Sequence, residues 1–188
     1  MMKKILFAIF VALILIGCGA PENVERSVVG NETTNETLNS FDSENSVPLT
    51  INEFSFTGYA GPKSHTGTFE NITAEAIVEN QNIKSALVTV QAASVNTGIE
   101  ALDTHLESED FFEVEQYPEM RFELTQLSES QAEGTLNFHG VEREITFPIT
   151  REGERLQTDF LLNIEPFNIQ YAALDNEVRI QFDVSLNQ

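Results

Sequence analysis

The sequence predicts an all-β protein, an eight-stranded antiparallel barrel with a short helical lid between two of its strands. From about Val47 onward, apolar and polar residues alternate in successive runs joined by short turns. That pattern is typical of strands with one buried and one solvated face. The chain has 14 Phe and no Trp, so its inward face can fill with rings that need no polar partner. Eight such strands close into a barrel wide enough for side chains or one slender ligand.

The first residues predict export. Lys3 and Lys4 precede the apolar run 5–16, which is short for a membrane span, and Leu-Ile-Gly-Cys ends this run at Cys18. The layout is that of a secretory signal peptide over residues 1–17, and its ending resembles the lipobox of bacterial lipoproteins. The resemblance implies a lipid anchor on Cys18, in a membrane facing the periplasm or the cell exterior. An ordinary signal peptide is the alternative.

Residues 18–46 predict a lipidated cysteine followed by a disordered acidic linker, since Asn, Glu, Thr and Ser dominate and no apolar period holds. Cys18 is the only cysteine, so the fold has no disulfide available. The whole chain carries a net charge of −20 at pH 7, and loss of Lys3 and Lys4 makes this −22. Such acidity repels phosphate backbones and argues against nucleic acid as a partner.

The barrel domain is predicted over residues 47–188. Gly134, inside a strand pattern, predicts a bulge or a corner, and Gly140 predicts a hairpin turn with a positive φ. A phase shift in the first strand predicts a bulge there. The eight predicted strands are 49–56, 65–79, 83–95, 120–127, 131–138, 141–149, 155–164 and 177–186.

The lid is predicted within residues 97–124. Thr97 and Glu100 have the spacing of a capping box at a helix start. Pro118 ends the segment, because the residue before a proline is pushed to extended geometry. We expect the lid to cover one barrel mouth with apolar side chains at helical spacing and a following aromatic pair: Ile99, Leu102, Leu106, Phe111 and Phe112.

The sequence does not predict an enzyme. His65, His105 and His139 lack the spacing of metal ligands, and neither a nucleophile elbow nor a phosphate-cradling glycine loop occurs. Thirty acidic residues make chance carboxylate pairs unavoidable. No catalytic residue, metal or cofactor is therefore predicted. One alternative stays open, a metal-dependent enzyme in which the three histidines converge in space.

Four blocks of the sequence resemble the YceI-like family of exported, lipid-binding proteins with a lipocalin-like barrel. Together they extend over nearly all of residues 47–187. Two arginines common in the family are missing, at Leu102-Asp103-Thr104 and at Glu165-Pro166. In chain order the blocks are Ser64-His65-Thr66-Gly67-Thr68-Phe69, Asp103-x-His105-Leu106-x-Ser108-x-Asp110-Phe111-Phe112 with Tyr117-Pro118, Gly134-Thr135-Leu136-x-x-x-Gly140-Val141 followed by Ile145-Thr146-Phe147-Pro148, and Phe167-Asn168-Ile169-x-Tyr171.

The resemblance implies a membrane-tethered protein that stores, transports or sequesters an isoprenoid or similar long-chain amphiphilic lipid, such as an isoprenoid quinone. A Phe-rich interior agrees, because it binds a guest through buried apolar area. A ligandless structural or stress-response barrel stays open, since alternation does not separate guest contact from plain core. The side chains expected to line the cavity are Phe56, Phe69, Val88, Val90, Leu106, Phe111, Phe112, Phe122, Phe138, Phe147, Phe160 and Phe182.

Overall fold

The computed structural model describes residues 19–33, 41–80, 82–170 and 175–186. The predicted signal peptide and the lipidation at Cys18 lie outside these ranges. Within the ranges, no helix has the length and apolarity needed to cross a bilayer. The strands are β1 (Val28–Glu32), β2 (Val47–Ala60), β3 (Lys63–Phe69), β4 (Ile72–Glu79), β5 (Asn82–Gln91), β6 (Val95–Asn96), β7 (Glu119–Leu127), β8 (Gln131–Phe138), β9 (Val141–Pro148), β10 (Thr150–Glu152), β11 (Arg155–Asn163) and β12 (Glu177–Leu186), with helix α1 (Glu100–Glu107) between β6 and β7.

Ten of these strands form one curled antiparallel sheet in the order β1-β9-β8-β7-β5-β4-β2-β12-β11-β10. β3 pairs with β2 and β6 pairs with β3, both off this path. The curl brings β9 close to β11, yet no main-chain pairing joins these two among the described strands. A lengthwise seam therefore separates β9 from β11. The all-β prediction is confirmed.

The predicted count of eight strands was wrong. The run 65–79 divides into β3 and β4, and the run 83–95 divides at a 3-10 turn, Ala92–Ser94, into β5 and β6. Alternation reports which face of a strand is buried, and it continues through a corner where the hydrogen-bonding partner changes. β1 and β10 add two short, exposed strands that carry too few apolar residues to show a period.

The disordered linker was also wrong for part of its length. Residues 25–32, which we call the strap, lie along the seam. The Ser27 amide donates to the Leu161 carbonyl of β11 at 2.9 Å, and the Leu161 amide donates to the Glu25 carbonyl at 2.8 Å. Farther along, β1 pairs with β9, and Val29 lies opposite Ile145. The strap thus joins both sides of the seam through its main chain.

Helix α1 begins without the predicted capping box. Ile99 is the N-cap residue and makes no side-chain capping bond. Instead the Asp103 carboxylate accepts hydrogen bonds from the Thr97 amide at 2.7 Å and from the Thr97 hydroxyl at 2.6 Å. Thr97 thus pairs with a carboxylate, as predicted, but with that of Asp103, six residues on, instead of Glu100. The reason is that Gly98 turns the chain, at φ +75°, before the helix begins.

The turn and bulge predictions are confirmed. Gly140 has φ +72° and its neighbour His139 has φ +51°, the pair of positive values that a two-residue type I′ hairpin requires. The register of β2 against β12 shifts at Asn52, and that of β7 against β8 shifts beside Gly134. A Cβ on Gly134 would meet the Phe122 ring at 2.6 Å, so any residue other than glycine would displace this ring.

A buried polar group fastens the outer wall of the barrel. The Asp183 side chain is buried and accepts hydrogen bonds from Arg155, from Asn52 Nδ2 at 2.9 Å and from Gln157 Nε2 at 2.9 Å. These donors stabilise the carboxylate, Arg155 most of all, so they hold the pKa of Asp183 well below its ordinary value. The group ties β11, β12 and β2 together on the face away from the cavity.

Candidate functional site

The curled sheet and the lid enclose a cavity of about 430 Å³. This volume falls within the range of small-molecule sites, roughly 300 to 1,000 Å³. The wall is almost wholly apolar. A few residues with polar side chains also border it: His65, Thr97, His105, Arg121, Gln157 and Thr158.

All twelve side chains predicted to line the cavity lie on its wall. Half of them are buried, namely Phe69, Val90, Leu106, Phe111, Phe138 and Phe160. The other six, Phe56, Val88, Phe112, Phe122, Phe147 and Phe182, are half-buried. The placement of the nine strand residues follows from alternation, and Leu106, Phe111 and Phe112 belong to the lid. Their contact with a lipid stays a prediction.

The upper end of the cavity, beneath the lid, is aromatic. The Phe69 ring contacts the Phe56 ring at a centroid distance of 5.3 Å and the Phe112 ring at 5.7 Å. Phe112 in turn lies 6.1 Å from Phe138, whose ring lies 5.6 Å from that of Phe167. One aromatic side chain of the lid therefore links the β3 and β8 sides of the mouth. We call this end the upper chamber.

The lid closes the mouth with fewer residues than predicted. Leu102, Leu106, Phe111 and Phe112 lie on the wall, and the side chain of Phe111 is only 6% exposed. Ile99 was wrongly included: it is 47% exposed and does not reach the cavity. Its backbone is extended at the N-cap position, so it does not continue the helical stripe that its spacing suggested.

Three phenylalanines lie across the middle of the cavity. Phe147 of β9 contacts Phe122 of β7 at 5.3 Å and stacks on Phe160 of β11 at 4.7 Å, with only 11° between the ring planes. The stacked pair also reaches across the seam. We call these three rings the Phe shelf. The Phe122 and Phe147 rings pack against the apolar clusters on both sides of the shelf.

Beneath the shelf the same cavity continues into a lower chamber, which the sequence did not predict. Several of its residues have the correct alternation: Ala86 is two residues before Val88, and Leu124 is two residues after Phe122. They were overlooked because the prediction favoured large rings. The wall residues of this chamber are Leu49, Ile83, Ala86, Leu124, Leu127, Ala132, Ile149 and Leu156.

Other wall residues lie where the sequence shows no period. Ile164 and Ile169 flank the 3-10 turn Glu165–Phe167 and are buried at the upper end. A turn of this kind presents side chains irregularly, so alternation does not reveal them.

The three histidines do not form a metal site. His65 is exposed on β3, and the His105 ring packs edge-on against Phe111 at 5.0 Å. His139, in the β8–β9 turn, lies 4.6 Å from the Tyr117 ring. Across the ranges that the structure covers, no group of three or more His, Cys, Asp or Glu side chains is placed to hold a metal ion. The metal-enzyme alternative has no support in those ranges.

A curled antiparallel sheet with a helical lid and an enclosed apolar cavity defines a class of all-β barrel with a lipocalin-like form. The model of the YceI-like domain family matches residues 29–186 of this chain. The chain belongs to the YceI-like family. The match begins within β1, so it includes most of that strand with the barrel.

Curated relatives of lower coverage agree with this. A UPF0312 protein of Staphylococcus aureus strain N315 is 30% identical over 89 residues, which is 46% of this chain and 52% of the relative. One from strain USA300 is 32% identical over the same coverage. The chain thus spans about half the length of the curated relatives that it matches.

Solved structures show the same fold. Burkholderia cenocepacia BcnA is 19% identical with a TM-score of 0.61, and the match covers 78% of this chain and 99% of BcnA. A polyisoprenoid-binding domain from Saccharophagus degradans, described as implicated in plant cell wall breakdown, is 15% identical with a TM-score of 0.58 and coverage of 74% and 96%. A Campylobacter jejuni YCEI protein is 20% identical with a TM-score of 0.54 and coverage of 84% and 99%.

Proposed function

We propose that this protein binds a polyisoprenoid or a similar long-chain amphiphilic lipid inside the barrel, as a binding protein and not as an enzyme. One observation carries the proposal: a cavity of about 430 Å³ whose wall is apolar from the lid to the lower end. A wall of this kind offers a guest dispersion contacts and removal from water, and few groups that could direct chemistry.

The energetics suit a long apolar tail. At about 25 cal/mol per Å², a tail that buries roughly 400 Å² of apolar surface gains about 10 kcal/mol. This gain must exceed the loss of translational and rotational freedom on association, about 4 to 15 kcal/mol. A short hydrocarbon buries too little surface to do so, and a long one that fills the cavity buries enough.

The comparisons support the ligand class. The chain belongs to the YceI-like family, and a structural neighbour with the same fold is described as a polyisoprenoid-binding domain. That description applies to the neighbour. For this chain it makes an isoprenoid tail the first class of lipid to test.

Displacement of a fluorescent apolar probe tests the proposal. The protein is loaded with N-phenyl-1-naphthylamine and titrated with an isoprenoid quinone, and separately with the same quinone ring lacking its tail. We expect displacement by the tailed quinone alone, because the wall recognises the tail. If the probe does not bind, the result favours the ligandless structural barrel; if it binds but neither compound displaces it, an isoprenoid tail is not the ligand.

We also propose that the protein is exported and held on a membrane by a lipid on Cys18. The support is the sequence of the first eighteen residues. Lipidation with more than one acyl chain makes such anchoring stable. Cell fractionation tests it: Cys18→Ala should move the protein from the membrane fraction to the soluble fraction, and Ser27→Ala should not. Equal distribution of wild type and Cys18→Ala would contradict the anchor.

A further inference from the structure

The two chambers of the cavity differ in the size of the side chains that surround them. The upper chamber and the Phe shelf are aromatic. Below the shelf, Ala76 of β4 lies directly opposite Ala86 of β5, and Ala86 lies opposite Leu124 of β7. Ala132 of β8 belongs to the same buried cluster. Small side chains on adjacent strands widen the lower chamber at this level.

The stacked rings of β9 and β11 and the alanine pair of β4 and β5 lie on opposite sides of the barrel, whereas Ala132 of β8 lies opposite Phe147, beside the shelf. Phe122, Phe147 and Phe160 project from β7, β9 and β11. In the strand order around the sheet, β4 and β5 are the strands farthest from β9 and β11. The rings therefore obstruct one side of the cavity, and the alanine pair of β4 and β5 leaves the other side open. A tail that continues from the upper to the lower chamber must pass Ala86.

The lower chamber has a definite depth. On β11, Phe160 of the shelf and Leu156 near the lower end both reach the cavity wall. Four residues of a strand separate them, which corresponds to about 13 Å. Leu127, Ile149 and Leu156 pack against the buried cluster at the lower end and line the wall there with branched aliphatic side chains.

We infer that the lower chamber sets the length of the lipid tail that the protein accepts. The inference rests on the proposed binding of a polyisoprenoid. Ala86 and Ala132 are then specificity-determining residues, because a larger side chain at either position blocks the passage or shortens the chamber. Leu127 and Leu156 form the end against which the tail stops.

A ladder of isoprenoid alcohols tests this inference in the probe-displacement assay. The protein produced from the full-length sequence is titrated with geraniol, farnesol, geranylgeraniol and solanesol. For wild type, we expect the affinity to rise about tenfold or more with each added isoprene unit until the lower chamber is full, since each unit adds buried apolar surface.

Ala86→Leu should lower the affinity for solanesol by about 30-fold or more and change that for farnesol by no more than about twofold, because the short tail ends above the shelf. Ala132→Leu should have the same effect, and it replaces Ala86→Leu in the test if that variant has a melting temperature far below that of wild type. Leu127→Ala should extend the longest accepted tail. Ala93→Leu, the same change at an exposed position, should leave the whole ladder unchanged.

Two results would overturn the inference, and they are distinguishable. If wild type binds no member of the ladder, the proposed function fails and the length selection fails with it. If wild type binds the ladder, but the folded leucine variants at residues 86 and 132 lose all lengths equally or none, the length selection alone fails. A loss of affinity confined to the long members of the ladder when Ala86 or Ala132 is enlarged supports it.

Discussion

The lid and the strap cover two openings of the same barrel by different means. The lid covers the upper mouth with apolar side chains, of which Leu106 is 9% and Phe111 is 6% exposed. The strap covers the seam between β9 and β11 with main-chain hydrogen bonds and the Arg26–Glu177 ion pair. That ion pair is solvent-accessible, with half of the Arg26 side chain exposed.

This difference has an energetic consequence. Burial of a large ring contributes about 1.5 to 3 kcal/mol, whereas an exposed ion pair contributes little. Segments with few buried apolar contacts and exposed hydrogen bonds open at the lowest free energies. We therefore expect the lid to be part of the stable core and the strap to open locally while the rest of the barrel stays folded.

The largest effect is expected from a charge placed in the lid. Phe111→Asp should lower the free energy of unfolding by about 4 kcal/mol or more, because it removes a buried ring and buries a carboxylate.

Phe112→Asp, at a half-buried ring, should reduce lipid retention. Denaturant midpoints and probe binding measure both. The control Ala101→Asp places the same carboxylate on the exposed face of α1. Unchanged stability and lipid loading in both Phe variants would contradict the role of the lid.

The next effect is expected in the wall, where the carboxylate of the Arg155–Asp183 ion pair is buried, unlike that of the ion pair in the strap. Asp183→Asn should lower the melting temperature at pH 7 by roughly 5 °C, since the amide cannot replace the charged acceptor of Arg155. Asp183 has a lowered pKa, so its contribution is complete above the ordinary value of 3.8 and is lost as pH falls below it. Wild type and Asp183→Asn should therefore converge in stability at acid pH. A constant difference between pH 7 and pH 3 would show that the charge is not responsible.

A smaller, local effect is expected in the strap. Ser27→Pro removes the amide that donates to the Leu161 carbonyl. We expect faster hydrogen exchange along β9 and β11 beside the seam, and unchanged exchange in α1. Ser27→Ala removes only the hydroxyl bond to the same carbonyl at 3.1 Å and should change exchange less. Faster exchange across the whole barrel in Ser27→Pro would mean that the strap is not a separate unit.

The smallest effect is expected from Arg26→Ala. The Arg26 guanidinium contacts Glu177 at 2.6 and 3.0 Å, but water screens this pair. The melting temperature should change by no more than about 1 °C. A drop comparable to that of Asp183→Asn would show that the strap depends on this ion pair and not on its main chain.

The same difference explains what the sequence could predict. β12 was predicted correctly because Val178, Ile180 and Phe182 alternate with polar residues. This alternation indicates a strand with one buried face. The nine lining positions on strands follow from the same signal, and the three in the lid follow from helical spacing and the aromatic pair. The strap gave no such signal, because it is held mainly through main-chain hydrogen bonds, which do not depend on residue identity.

Two features depended on packing that no local pattern contains. Ile99 has the helical spacing of the lid residues, but the turn at Gly98 places it outside the helix. The cavity was predicted as a ring of phenylalanines. The division of the cavity into two chambers depends on the positions of the shelf rings. The Phe122 ring can occupy its position because Gly134 has no side chain. Alternation predicted the wall. The shape of the space inside it required the structure.

The central claim is that a lipid tail occupies this cavity. Mass spectrometry of the organic extract from natively expressed, purified protein tests it most directly, with Phe112→Asp as the comparison. We predict a polyisoprenoid in near-equimolar amount from wild type and a clear reduction from the variant. Wild-type protein that is folded, has the same cavity and yields no long-chain lipid would contradict the account.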